Sequence, residues 1–203
     1  MILVLVAVSY LIGSIPVAWI VAKLVTGQDL RQLGSGNVGV MNVGVSVARW
    51  AGLLVFLAEA AKSVLAISLA RSLVGGDLAI GAAVLATVAG TRWSIWLRGA
   101  GGRGNTAAAT ALFVISWVGA ACIGALWLLV RLITGSPFIA TRVNLAVGPL
   151  ILGVLTRSWW FLLLGGVFSL LFLTTHRRAT DDHLIIKERW AGLRRFLTMP
   201  PRK

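Results

Sequence analysis

Apolar positions along this chain come in continuous runs, not in strict alternation or narrow one-sided stripes. The runs fall at about 2–24, 50–73, 77–97, 105–115, 117–134, 141–156 and 158–175. About 20 apolar residues cross the ~30 Å hydrocarbon layer as a helix. Backbone in lipid must satisfy its polar groups internally, which strands without a closed barrel cannot do. The pattern therefore predicts an all-α, polytopic membrane bundle of about seven segments. The fourth is too short to cross alone and reads as short or partly re-entrant. The sixth and seventh, split by Arg157 and Ser158, lie near the lower limit of length. Residues 1–22 hold no Lys or Arg, and their apolar run exceeds the core of a signal peptide, so a retained first helix is expected.

Between these runs the polar residues concentrate in two glycine-rich loops, "GSGNVGVMN" (Gly34 to Asn42) and "GAGGRGN" (Gly99 to Asn105), and in the C-terminal stretch. If the chain alternates sides, one side receives Lys23, Arg31, Arg49, Arg98, Arg103, Arg131, Arg142 and the tail, and the other little beyond Arg71 and Arg157. The basic side is expected to be cytoplasmic, placing both loops and the C-terminus there and the N-terminus outside. The stretch 176–203 has eight Lys and Arg against three Asp and Glu, interspersed with Leu184, Ile185, Ile186, Trp190, Leu193 and Phe196. This composition suits a basic amphipathic tail on an anionic leaflet. Trp93, Trp96, Trp159 and Trp160 stand near segment ends, as interfacial anchors do.

Composition agrees with the pattern. Of 203 residues, 58% are hydrophobic and 12% charged, and mean hydropathy is +0.91, more apolar surface than a soluble core of this size could bury. No polar block is long enough for a soluble domain, so residues 1–203 read as one integral membrane domain. The net charge of +13 is assigned to helix orientation and anionic headgroups, not to nucleic acid. Cys122, the single cysteine, forms no internal disulfide and reads as a small packing residue.

Groups for chemistry are scarce. Glu59, the one acidic residue deep in an apolar run, lies three positions before Lys62 on one helix face. Each ionised group costs about 2.5–3.5 kcal/mol to insert, so the two are expected to face the interior and each other. An internal lock and a substrate role both remain open for them. His176 and His183 both belong to the tail, no cluster has metal-ligand spacing, and neither metal nor cofactor is expected. The glycine loops remain. Glycines at positive φ let successive N–H groups point into one concavity that binds phosphate or a developing oxyanion. Ser35, Asn37 and Asn42 add side-chain donors, and Arg31 and Arg103 add charge suited to a bidentate phosphate grip. From glycine content alone, two turns between helices are the simpler reading.

Taken together, these motifs resemble, over nearly the whole chain, the bacterial membrane glycerol-3-phosphate acyltransferases that use acyl phosphate as donor. "GSIPVAWIVAK" (Gly13 to Lys23) is similar to their first-helix motif and "DLRQLGSGNVGVMN" to their first cytoplasmic loop. "GTRWSIWLRGAGGRGNTA" aligns without gaps to the second loop, "ATRVNLA" resembles the stretch before the sixth helix, and "HR" (His176, Arg177) the start of the C-terminal signature. The resemblance implies a seven-helix bundle that moves an acyl group from acyl phosphate to the 1-hydroxyl of glycerol 3-phosphate, giving lysophosphatidic acid in phospholipid synthesis. It puts Ser35, Asn37, Arg103 and His176 at the catalytic centre. Arg31, Gly34, Gly36, Gly39, Asn42, Gly101, Gly102 and Gly104 are expected to hold substrate phosphate.

The chain also departs from the family pattern. Val40 and Met41 replace Ala and Thr, and Val45 stands where a basic residue is usual. Thr91 and Ser94 replace a His and a Pro, Arg103 a Lys, and Ala179 an Asn. These substitutions leave open a homologue with altered acceptor or no turnover, acting as a binding or regulatory membrane protein. A small transporter of anionic solutes built on broken helices is a further alternative, although no inverted repeat is visible.

Overall fold

The structure, a computed structural model, describes residues 1–175 and 193–198. His176, His183 and most of the tail lie outside the described residues. The described part is helical: α1 Ile2–Ser14, α2 Val17–Thr26, α3 Val40–Ser46, α4 Arg49–Leu73, α5 Gly76–Arg92, α6 Asn105–Ile115, α7 Trp117–Thr134, α8 Pro137–Thr156, α9 Trp159–Thr175 and α10 Leu193–Thr198. Short 3-10 turns at Leu30–Gln32 and Ile95–Leu97 lie in the two glycine-rich connections.

Among the described residues, five stretches are long and apolar enough to cross a membrane: Ile2–Thr26, Arg49–Leu73, Gly76–Leu97, Trp117–Thr134 and Phe138–Thr156. Helix α6, with 11 residues, is about 16 Å long and does not cross alone. Large apolar side chains such as Leu3, Leu24, Leu132, Ile133 and Val154 are at least 74% exposed, which suits a lipid solvent. Cys122 is exposed as well, so the expected packing role gives way to an outward position on α7.

Two local departures from the sequence reading shape the site. The first apolar run is not one helix. Pro16 has no N–H, its ring crowds the preceding turn, and Ile15 takes an extended ψ of 115°, so the run divides into α1 and α2. Secondly, the first glycine loop ends in the short helix α3, which places Met41 and Asn42 in a helical turn.

The break leaves backbone carbonyls with no helical partner, and side chains from elsewhere satisfy them. Lys62 Nζ donates to Ile15 O (2.5 Å) and Gly13 O (3.3 Å), Thr91 Oγ1 to Gly13 O (3.2 Å), and Ser94 Oγ to Ser14 O (2.6 Å). Ser14 Oγ accepts from Ile95 N at 2.8 Å. Helix α1 packs most extensively on α5. The approach is close enough that a Cβ on Gly13 would stand 2.0 Å from Thr87 O and one on Gly90 2.1 Å from Tyr10 O, the small-residue contact that membrane helices use. Glu59 and Lys62 form the expected buried pair at 2.7 Å. Its lysine doubles as the cap of the broken helix.

Candidate active site

The first connection is built around Asn42, which is 1% exposed. Its Nδ2 donates to Leu33 O and Asn37 O, both at 2.9 Å, and reaches Leu30 O at 3.4 Å. Its Oδ1 accepts from Ser35 N at 3.2 Å and from Ser46 Oγ at 3.0 Å. One side chain thus ties both limbs of the loop to α3. Gly34 and Gly36 take positive φ (55° and 72°), and a Cβ on Gly34 would meet Asn42 Oδ1 at 2.3 Å. Asn37 N donates to Ser35 Oγ at 3.4 Å, which turns the chain back toward Gly39 at the N-terminus of α3. Ser35 and Asn37 are half-buried on this frame.

The second connection leaves α5 at Arg92, passes Arg98 and Gly99 at positive φ, and enters α6 through Gly104 (φ 74°). Gly101 N donates to Arg92 O at 3.1 Å and Gly102 N to Thr91 O at 2.9 Å, folding the loop back along the end of α5. Arg103 projects between two buried glycines, Gly102 and Gly104.

The two connections meet. Gly102 lies so close to the first that a Cβ there would stand 2.1 Å from Val38 O. A pocket of about 10 Å³ behind the junction, roughly one water in size, is bounded by Glu59, Thr91, Ser94, Val38, Gly101 and Gly102. The break in the first run, the ion pair of α4 and both glycine loops therefore form one contiguous polar layer within the bundle.

Arg31, expected to supply charge to a phosphate, is closed on Asp29. Its Nε and Nη2 donate to the carboxylate at 2.6–3.1 Å, and its backbone N–H donates to Asp29 Oδ1 at 2.9 Å. The guanidinium holds the Asp29 carboxyl well below the usual carboxylate range. Asn42 is likewise committed inside the loop, so any effect it has on a ligand passes through the loop. Thr91 and Ser94 turn inward to the helix break. Sequence reading missed that role; the signal was Pro16 within the first apolar run, which implied orphan carbonyls needing donors.

Beside Gly104 a cavity of about 300 Å³ opens among α5 to α9. Asn105 and Asn144 line it, and its walls are otherwise mostly apolar, including Leu112, Leu152, Phe161 and Phe168. A mostly apolar cavity that takes in Asn105, directly after the second glycine loop, suits the apolar part of an amphiphile with an anionic head.

These features define a helical integral membrane protein with a junction of two glycine-rich loops and an apolar cavity lined from Asn105, the residue that follows the second loop. The family model described as glycerol-3-phosphate acyltransferase matches residues 3–184, and the chain belongs to that family. Among its relatives, glycerol-3-phosphate acyltransferase 2 of Moorella thermoacetica is 38% identical over 156 residues, covering 77% of this chain and 80% of the relative. The enzyme of Synechococcus sp. strain CC9902 is 36% identical over 183 residues, 86% of this chain and 88% of the relative. The crystal structure of PlsY (YgiH), an integral membrane glycerol 3-phosphate acyltransferase, in its glycerol 3-phosphate form superposes with a TM-score of 0.76 at 29% identity, covering 91% of this chain and 92% of that one. The lysophosphatidic acid form of the same protein gives 0.74 at 27% identity over the same shares.

Proposed function

We propose that this membrane acyltransferase moves a fatty acyl group from acyl phosphate to the 1-hydroxyl of glycerol 3-phosphate, forming lysophosphatidic acid for phospholipid synthesis. The observation that carries the reading is the packing of Gly102 against Val38 O, which brings two glycine-rich loops together beside the apolar cavity. We read residues 1–203 as one domain in the cell membrane, with the reaction on the cytoplasmic face where the basic loops collect.

Ser35, Asn37 and the backbone of Gly34, Gly36 and Gly39 hold one phosphate; Arg103 with Gly101, Gly102 and Gly104 faces it from the second loop. His176, which lies outside the described residues, is assigned beside the acceptor from the family resemblance alone. Arg103 offsets repulsion between two phosphates, and the acyl chain occupies the cavity that begins at Asn105. Acyl phosphate is a mixed anhydride with a good leaving group. Orientation and oxyanion stabilisation therefore matter more than a strong protein base. The acceptor oxygen forms a bond to the acyl carbon, the carbon–oxygen bond to phosphate breaks, and the hydroxyl proton passes to a phosphate oxygen as inorganic phosphate leaves.

The test is a donor panel of acyl phosphate, acyl-CoA and acyl carrier protein with glycerol 3-phosphate, read by mass spectrometry of the lipid product. Product is expected from acyl phosphate and is lost in Asn37→Ala and Arg103→Ala. Binding of glycerol 3-phosphate without product from any donor would replace this reading by the altered-acceptor or non-catalytic one, which the inward commitment of Thr91 and Ser94 favours.

A further inference from the structure

The helix α10 lies outside the stretch matched by the family, which ends at residue 184, yet it packs against the first glycine loop's own helix. Phe196 is 6% exposed, and its neighbour Leu197 is 64% exposed. The ring of Phe196 sits with Val45, itself buried, and with Met41. It also reaches the backbone of Gly44, where a Cβ would stand 3.6 Å from the ring. The guanidinium of Arg49 lies over the same ring, 5.7 Å from its centroid, and donates to Leu197 O at 3.5 Å.

Met41 and Val45 stand four residues apart on one face of α3. They are two of the positions at which the chain departs from the family pattern, so the same substitutions that remove polar groups create this seat. Asn42 and Ser46 occupy the adjacent face and hold the Ser35–Asn37 turn. Val43, fully buried, faces the core formed with Leu30, Ala51 and Val55. Helix α3 has only seven residues and no side-chain cap at its N-terminus, so it depends on packing from both sides. One side is the bundle core, and the other is Phe196.

We propose that Phe196 is a positioning residue for the acceptor site. Seated on Met41 and Val45, it holds α3, and through Asn42 the Ser35–Asn37 turn, in the conformation that binds glycerol 3-phosphate. This rests on the acyltransferase reading for its kinetic consequence, but the packing itself is measurable without turnover.

The full chain is reconstituted in phosphatidylethanolamine and phosphatidylglycerol vesicles as wild type, Phe196→Ala, Phe196→Leu and Leu197→Ala. Phe196→Ala is expected to raise KM for glycerol 3-phosphate about 5- to 10-fold with kcat within about 2-fold, the pattern of weakened binding and not of lost chemistry. Phe196→Leu restores most of the affinity, and Leu197→Ala stays near wild type. Hydrogen exchange at amides 35–46 accelerates in Phe196→Ala and not in Leu197→Ala. An unchanged KM with unchanged exchange overturns the proposal. So does a fall in kcat at constant KM, which would mark loss of folded enzyme alone. If the wild type makes no product, the acyltransferase reading falls, and the exchange comparison still decides whether Phe196 holds the loop.

Discussion

Replacing Asn42 tests whether the first loop is a built cradle or a mere connection. The side chain is 1% exposed, so water does not replace what is removed. In Asn42→Ala, Leu33 O and Asn37 O each lose a 2.9 Å donor and Ser35 N loses its acceptor. At about 1 kcal/mol for each buried group left without that partner, the low end of the usual range, the loop loses about 3 kcal/mol of preference for its observed shape. At 1.4 kcal/mol per tenfold, that is a fall of about 100-fold in kcat/KM if substrate binds only that shape. Asn42→Asp is sharper. It keeps the acceptor for Ser35 N but points a carboxylate oxygen at three carbonyls, so it should be at least as damaging. The assay is lysophosphatidic acid formation against glycerol 3-phosphate concentration, with hydrogen exchange at residues 30–39 as a control. If Asn42→Asp retained kcat/KM within about 3-fold of wild type, the donation to the loop carbonyls would be irrelevant and the reasoning refuted.

The junction between the loops makes Gly102→Ala a steric probe: with a Cβ placed 2.1 Å from Val38 O, the loops must part, and activity should fall by at least about 100-fold while the protein still inserts and extracts as folded material, judged by size-exclusion profile. Lys62→Met leaves Glu59 uncompensated and two carbonyls of the helix break without their donor, which should destabilise by about 3–5 kcal/mol in thermal or denaturant unfolding; Glu59→Leu combined with Lys62→Met should recover part of that loss. Asp29 provides a pH prediction. A carboxyl lowered in the fold adds stability above its unfolded pKa of about 3.9, and that stability is lost as pH falls through the folded value. Between about pH 5 and 8 the Asp29–Arg31 pair therefore stays closed, and the melting temperatures of Asp29→Asn and wild type should differ by an offset that does not vary with pH.

Helix positions were legible because lipid demands long uninterrupted apolar runs, and α4 to α9 follow the predicted segments closely. The two glycine loops could be read as sites because they gather the polar groups of the membrane-embedded part. What the runs could not disclose is which polar groups serve the protein itself. Asn42 and Arg31 look like ligand donors in sequence, yet each bonds an internal carbonyl or carboxylate, and Thr91 and Ser94, which read there only as departures from the family pattern, donate to carbonyls of the helix break. These partners lie from two to about eighty residues away and become visible only when helices cross. Glu59 and Lys62 were recognisable as a pair from their spacing, but the capping role of Lys62 required knowing that Pro16 breaks the first helix. The tail's apolar residues suggested attachment to the bilayer, whereas the ring of Phe196 turns toward α3, a choice set by the shape of one small seat.

The break at Pro16 also bears on the order in which the protein can be completed. The carbonyls of Gly13, Ser14 and Ile15 find their donors at Lys62, Thr91 and Ser94, about 47 to 80 residues later in the chain. During synthesis the first span therefore enters the membrane with the carbonyls of Gly13 and Ser14 lacking the donors that later spans supply, and these remain a liability until the second and third spans arrive. The first span is completed only once the third has been made, so early assembly is biased toward bringing α4 and α5 against α1. The loops that α4 and α5 support take shape as a by-product of repairing that break.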